Sequence, residues 1–354
     1  MSPPGGQGTA VLRDHFKVAL GGPTSSSSSS SSDRDSEIMA ALLLRTSRSL
    51  GACLRVATGC PSPSSCVVAA WSTARGPREG AVAWRTHAQV RHYSSSDKLS
   101  IEMDDKTGVA VLKLSNPPVN SLSLELLTEL AIGLDKLEMN PSCRGVIMTS
   151  ANPHIFSAGL DVSEMMGKPT EHYREFWRAV QEMWLKLYGS SLITIAAING
   201  SSPAGGCLMA MCCDYRLMAD NPKYSIGLNE TKLGIVAPFW FRDTMMGVVG
   251  TRVTERSLQL GLMYSPSEAV HVGLVDRTVP EETVMEEARA EMGRWLKIPD
   301  HARQITKSMM RKTTIDHLLA QRDSDISNFA NFISKESIQK SLTAYMQALR
   351  QPKK

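Results

Sequence analysis

The apolar positions of the chain predict alternating strands and helices from about residue 97 onward. Continuous apolar runs at 145–149 and 192–198 are typical of buried strands. Apolar residues recur at helical spacing along 124–137 and 171–188, where they predict helices with one buried face. Short strands that alternate with helices indicate the α/β class. We therefore predict an α/β fold for residues 97–354.

The ends of this region have a simpler pattern. Two short apolar runs, 99–103 and 109–114, flank an Asp/Gly-containing turn and predict a β-hairpin. The last third of the chain is mostly helical in its spacing. It predicts helices at 238–249, 253–262, 266–272, 281–296 and 299–349, with a last strand at 274–279.

Two predicted strands end in turns of small residues, each followed by a predicted helix. One turn is 157–159 and the other is 201–206. Glycine allows a ligand to approach the main chain closely, and free N–H groups at a helix start favour negative charge. A carboxylate, Glu230, follows two short predicted strands at 215–218 and 224–226. Donors for an anion and a base are the groups needed to remove a proton beside a carbonyl, although glycine pairs more often form ordinary turns.

Three segments in this order resemble the crotonase (enoyl-CoA hydratase/isomerase) superfamily. They are FSAGLD at 156–161, PAGGCLMAMCCDYR at 203–216 and GLNETKLGI at 227–235. The resemblance spans about 98–349 and is greatest to the isomerase branch, which NPPVNSLSLELLTEL at 116–130 also resembles. It implies the crotonase fold, a spiral of ββα units with a C-terminal helical oligomerisation region, and a homotrimer.

The resemblance also implies a reaction and a set of site residues. In the isomerase branch, a 3-cis or 3-trans double bond of an enoyl-CoA moves to the 2-trans position during mitochondrial β-oxidation. The main-chain N–H groups of Ala158 and Gly205 are then expected to hold the thioester oxygen, and Glu230 to carry the proton from C2 to C4. Other residues expected to bind the substrate are Gly159, Leu160, Asp161 and Val162. No cofactor is implied beyond the coenzyme A of the substrate.

One position separates isomerisation from hydration. The hydratase branch has a second glutamate just after its Gly-Gly-Cys, where this chain has Leu208. We expect Leu208 to face the reacting carbons, where it cannot orient water. Other members of the fold remain alternatives: an enoyl-CoA hydratase, a dienoyl-CoA isomerase, or a non-catalytic protein that binds CoA or RNA.

Charge and composition exclude several other classes. The chain of 354 residues has a net charge of +4, but residues 1–96 carry +5 and the remainder −1. A body without excess positive charge argues against nucleic-acid binding. No apolar run reaches 18 residues, so no membrane span is predicted. The seven cysteines form no C-x-x-C pair, which predicts reduced thiols and no metal site.

The first 96 residues differ in composition from the body. Residues 1–38 include eight consecutive serines and predict a disordered extension. Residues 39–96 contain seven arginines, no lysine and one acidic residue, Glu79. This composition predicts a mitochondrial transit peptide that is cleaved near 94–97 to release the protein into the matrix. A basic tail that binds an acidic partner is the alternative.

Overall fold

The computed structural model describes residues 90–92 and 97–350. The predicted extension, 1–38, lies outside the described residues, as does most of the predicted transit peptide. The strands are β1 (Val90–His92), β2 (Leu99–Asp104), β3 (Val109–Leu114), β4 (Gly145–Ser150), β5 (Ile193–Ile198), β6 (Ser202–Pro203), β7 (Tyr215–Ala219), β8 (Ile226–Gly227) and β9 (Arg277–Val279). The α-helices are α1 (Leu124–Glu138), α2 (Thr170–Tyr188), α3 (Gly205–Cys212), α4 (Phe239–Leu260), α5 (Pro266–His271), α6 (Val284–Trp295), α7 (Asp300–Ile333) and α8 (Glu336–Arg350). Short 3-10 helices occupy Val162–Met165, Glu230–Leu233 and Glu281–Thr283.

Seven of the described strands form one mixed sheet in the order β1-β2-β3-β4-β5-β7-β9. The first three strands pair antiparallel, and β3 through β9 pair parallel. Every residue of β4 and β5 is buried, as expected for central parallel strands covered by helices. The continuous apolar runs of the sequence therefore mark the centre of this sheet.

A second, very small sheet positions the turns that follow these strands. Ser202 of β6 pairs with Ile226 of β8, and Pro203 pairs with Gly227. The N–H of Ala204 then donates to the Gly227 carbonyl at 2.8 Å. This pairing fixes the turn before α3 beside the segment that leads to Glu230.

Several element boundaries differ from the sequence predictions. The helices predicted at 238–249 and 253–262 form one element, α4, that is kinked at Gly250, where φ is +76°. The helix predicted from 299 to 349 is divided into α7 and α8 at Ser334. Strand β1 was not predicted, and it lies within the proposed transit peptide. Cleavage near 94–97 would remove it.

The aromatic stripe predicted on α2 packs into the core. Trp184 is fully buried and meets Trp240 of α4 edge-on at 5.3 Å between ring centroids. Trp177 stacks on Phe329 of α7 at 3.8 Å, with the rings 6° from parallel. Through these contacts α2, α4 and α7 form one packed unit beside the sheet. No helix within the described residues is long and apolar enough to cross a bilayer.

Candidate active site

A cavity of about 270 Å³ lies where the turns after β4 and β6 meet the loop after β8 and the helix α7. Most of its wall is apolar. The wall residues that the sequence analysis had placed at the site are Ala158, Leu160, Val162 and Glu230, and others are Met165, Pro203, Ala204, Asn229, Leu233, Phe241, Asp325, Asn328, Phe329, Phe332 and Tyr345. The sequence motifs therefore converge on one partly open, largely apolar cavity.

Glycine at position 159 allows the two small-residue turns to touch. Its φ of +89° is in the region that favours glycine, and a Cβ there would lie 2.9 Å from the nitrogen of Gly205. A Cβ on Gly205 would in turn lie 3.1 Å from the nitrogen of Leu160. The main-chain N–H groups of Leu160 and Gly205 are thus brought close together.

Ala204 precedes Gly205 in an unusual conformation. Its φ of 49° and ψ of −121° are rare for a residue with a side chain, and such conformations concentrate at functional sites. Helix α3 starts at Gly205, so the Gly205 N–H has no helical carbonyl one turn earlier to which it could donate. The turn therefore presents this N–H as a free donor.

Ala158 does not supply the second donor, contrary to the sequence prediction. Its N–H donates to the Val119 carbonyl at 2.9 Å. Leu160 pairs with Leu122 in a parallel bridge. In this bridge the Leu122 N–H donates to the Gly159 carbonyl, and the Leu122 carbonyl accepts from the Asp161 N–H. The Leu160 N–H faces the opposite side and meets no acceptor among the described residues. Leu160 and Gly205 are therefore the pair of free donors, and Ala158 contributes only to the wall.

Glu230 provides the candidate base. It begins the 3-10 helix that follows Asn229, and its Oε2 is buried without a hydrogen-bond partner in the described part of the chain. Burial raises the pKa of Glu230 to about 7, and a backbone hydrogen bond partly opposes this rise. A carboxylate with this pKa can both take up and release a proton near neutral pH.

Asp161 shapes the site from outside the cavity wall. Its carboxylate accepts hydrogen bonds from the Ser163 N–H at 2.9 Å and from the Ser163 hydroxyl at 2.7 Å. These bonds cap the 3-10 helix Val162–Met165, which places Val162 and Met165 on the wall. Gly159 and Asp161 thus hold the segment in shape, and a substrate contact for either residue stays a prediction.

Leu208 does not face the cavity, so this part of the sequence analysis was wrong. Its side chain is fully buried in the core, and the neighbouring residues Pro203 and Ala204 form the wall instead. Every residue of α3 is buried, so its sequence carries no polar face that could indicate orientation.

The wall formed by the C-terminal helices was not predicted from the sequence. Asp325, Asn328, Phe329 and Phe332 lie on one face of α7, and Tyr345 reaches the cavity from α8. The i, i+3, i+4 and i+7 spacing on α7 was the available signal. Asp325 is a second carboxylate on the wall, which motif matching did not reveal.

The described thiols and acids form no metal centre. Within 97–350 no three histidine, cysteine or acidic side chains are grouped to hold an ion. The thiols of Cys143, Cys207, Cys212 and Cys213 are free and buried. Burial raises the pKa of Cys213 to about 12, so it is neutral at physiological pH.

Comparison with known proteins identifies the family. Residues 104–353 match the family model described as enoyl-CoA hydratase/isomerase. The chain belongs to this family. It is 60% identical over 259 residues to mouse "Enoyl-CoA delta isomerase 1, mitochondrial", covering 73% of this chain and 90% of that protein. The human protein of the same name is 58% identical over 258 residues, covering 73% of this chain and 85% of that protein.

A solved structure supports the same assignment. The crystal structure of human mitochondrial delta3-delta2-enoyl-CoA isomerase matches with a TM-score of 0.71 and 58% identity. The match covers 72% of this chain and 98% of that one. The α/β crotonase fold of this enoyl-CoA hydratase/isomerase family member, with its C-terminal helical region, is confirmed.

Proposed function

We propose that the chain is an enoyl-CoA delta isomerase that moves a 3-cis or 3-trans double bond of an enoyl-CoA to the 2-trans position. The observation that carries this proposal is the environment of Glu230. Its carboxylate has a pKa near 7 and an unpartnered oxygen in an apolar cavity, and the free N–H groups of Leu160 and Gly205 lie close together at the turns that shape this cavity. The identity to named delta isomerases supports the same reaction.

The proposed mechanism needs one proton carrier. Glu230 takes a proton from C2, and the electrons of that C–H bond form a dienolate whose negative oxygen is held by the Leu160 and Gly205 N–H groups. The same proton returns at C4, which leaves the double bond between C2 and C3. A positioned acid–base group contributes roughly 10²–10⁴ to such a rate, and one oxyanion donor roughly 10²–10³. The steps balance without a cofactor beyond coenzyme A.

Two rates distinguish this isomerase from a hydratase. Purified protein should convert 3-enoyl-CoA to 2-trans-enoyl-CoA much faster than it hydrates 2-trans-enoyl-CoA. Ultraviolet absorbance measures both rates. Of the two acidic wall residues in the described chain, Asp325 is held by three core donors and Glu230 alone has a buried oxygen without a partner, which supports this order. Hydration as fast as isomerisation would contradict the proposal, and the Glu230→Gln variant is the control for rates that do not depend on the site.

The proposal places this reaction in the β-oxidation of unsaturated fatty acids in the mitochondrial matrix. The relatives named mitochondrial and the arginine-rich composition of 39–96 support this location. N-terminal sequencing of protein from purified mitochondria should give a start near 94–97. A mature protein that keeps residues 1–38 would contradict the proposed transit peptide.

The proposed assembly is a homotrimer. Four apolar side chains of α7 are more than half exposed in the single chain, a pattern that favours an interface. They are Ile305, Met309, Met310 and Leu319. Sedimentation equilibrium should give three times the mass of one chain, and Met309→Lys with Met310→Lys should shift it to one. A wild-type monomer at micromolar concentration would overturn this part of the proposal.

A further inference from the structure

Asp325 holds a built position on the cavity wall that the proposed mechanism does not use. Its Oδ2 accepts three hydrogen bonds: from Trp177 Nε1 at 2.8 Å, from Gln181 Nε2 at 2.7 Å and from Trp240 Nε1 at 3.2 Å. All three donor side chains are buried, and two come from α2 and one from α4. The carboxylate is therefore fixed in direction by the core.

The second oxygen of this carboxylate is left for a ligand. Asp325 lines the cavity, and its Oδ1 accepts no hydrogen bond from the residues at 97–350. Most of the surrounding wall is apolar, although Asn328, one turn along α7, also lines it. Phe329, one turn further along α7, stacks on Trp177, and Phe241 also lines this space. Asp325 thus places an oriented acceptor on a wall that is mostly apolar.

The position indicates which part of a substrate would meet Asp325. The thioester and the carbons C2 to C4 must lie at Glu230 and at the Leu160 and Gly205 N–H groups. Asp325 and its three donors belong to other elements, α2, α4 and α7. We assign this carboxylate to the part of the acyl chain beyond the reacting carbons.

A plain hydrocarbon is poorly matched to this position. It would displace water from the Oδ1 atom and offer no hydrogen bond in return, which is costly for a charged group. A hydroxyl on the chain would replace the lost water contact with a charge-assisted hydrogen bond. We propose that Asp325 Oδ1 binds a hydroxyl group on the distal acyl chain, so that the cavity selects hydroxylated acyl-CoA thioesters over unsubstituted ones of equal length. This inference rests on the proposed use of the cavity for acyl-CoA.

The test uses binding, so that it does not depend on turnover. Saturated acyl-CoAs of increasing chain length are prepared with a terminal methyl, hydroxyl or methoxy group, and dissociation constants are measured by isothermal titration calorimetry. At lengths that reach Asp325, wild-type protein should bind the hydroxyl ligand roughly tenfold more tightly than the methoxy ligand, because only the hydroxyl can donate to the carboxylate.

Asp325→Asn provides the decisive variant. The amide oxygen can still accept the bonds from Trp177, Gln181 and Trp240, so the fold is retained, while the amide nitrogen takes the place of Oδ1. That nitrogen donates, so the hydroxyl preference should vanish or reverse in favour of methoxy. Asp316→Asn is the matched control, because it removes an exposed carboxylate from the same helix. It should keep the wild-type ratio.

Three results would overturn the inference. One is a hydroxyl-to-methoxy ratio near one in wild type at every length. Another is the same ratio in Asp325→Asn as in wild type, since a purely structural aspartate would change the affinity for all three ligands alike. The third is a failure of every acyl-CoA to bind. Absence of isomerisation with unsubstituted 3-enoyl-CoA would instead contradict the proposed function, and the binding ratio would still decide the role of Asp325.

Discussion

Asp214 and Glu230 are both buried carboxylates, but their surroundings are opposite. Asp214 is 6% exposed, and its oxygens accept from the Thr194 N–H at 2.9 Å, from Lys307 Nζ at 2.8 Å and from the Arg311 guanidinium at 3.0 Å. Glu230 has a buried oxygen with no partner in the described chain. Asp214 therefore fixes α7 against the sheet, whereas Glu230 remains free to exchange a proton.

The same contrast is visible in the pKa values around each site. Burial raises the pKa of Glu230 to about 7, and no cation in the described part of the chain offsets this by favouring the charged form. At the other site, burial lowers the pKa of Lys307 to about 8, although the neighbouring Asp214 opposes the change. Burial of an acid thus yields a structural anchor where donors surround it and a base where they do not.

The largest expected effect is on catalysis by Glu230→Gln. The substitution is nearly isosteric and removes the proton carrier, so the isomerisation rate should fall by roughly 10² or more. Initial rates with 3-enoyl-CoA measure it, and unchanged acyl-CoA affinity would show that the cavity is intact. If more than about a tenth of the activity remains, a different base performs the reaction.

Asp214→Ala should act on stability instead. It leaves Lys307 and Arg311 as buried cations without their partner, a change that typically costs about 3–5 kcal/mol of unfolding free energy. Urea denaturation measures the loss. Asp316→Asn, which breaks an exposed pair with Lys312, should change stability by less than about 0.5 kcal/mol. Equal losses in the two variants would mean that Asp214 is not an anchor.

Gly159→Ala tests the two free N–H groups. The new Cβ would lie 2.9 Å from the Gly205 nitrogen and push the two turns apart, so the rate should fall by about 10². Gly167→Ala is the matched control, because its φ is also positive at +62° but a Cβ there meets nothing within 4 Å. Similar rates for the two variants would show that backbone strain alone, without the close approach, explains the loss.

The pH dependence of the rate is a smaller effect. Because Glu230 must be ionised to accept the C2 proton, kcat/KM should rise about tenfold from pH 6 to pH 8 for a pKa near 7. Rates over this range with a single 3-enoyl-CoA measure it. A profile that is flat above pH 5 would indicate a base with an ordinary carboxylate pKa.

A separate effect of the raised pKa concerns stability. Folding raises the pKa of Glu230 from 4.5 to about 7, so the folded state holds this proton when the unfolded state has lost it. The stability contributed by protonated Glu230 is therefore full below pH 4.5 and is lost as the pH rises through 7. The melting temperature of Glu230→Gln, relative to wild type, should increase between pH 5 and pH 8. A constant difference would contradict the raised pKa.

The sequence predicted the centre of the sheet well, because the residues of β4 and β5 are apolar without interruption and such runs can only be buried. It predicted the position of Glu230 through a motif. It could not show which N–H group of the 158–160 turn is free, because that depends on the pairing of Leu160 with Leu122. Motif matching identifies residue types and not the direction of a main-chain N–H.

Two other errors have similar causes. The orientation of Leu208 could not be predicted, because α3 is buried on all sides and offers no polar face as a reference. Asp325 lies in a polar stretch of α7 that resembles a solvated helix surface. Only the packing of α7 against Trp177 and Trp240 turns it toward the cavity. Both errors concern contacts between residues that are distant in the sequence.

The length of α7 has a mechanical consequence. Its 34 residues span about 51 Å, and about 31 Å separate Arg311, at the Asp214 anchor, from Phe332 on the cavity wall. A tilt of about 2° around the anchor would move Phe332 by about 1 Å, a displacement that can change a reaction rate by about 10². Substitutions at the Asp214 anchor can therefore alter substrate choice from a distance, because they change the angle of α7 and leave the residues that contact the substrate unchanged.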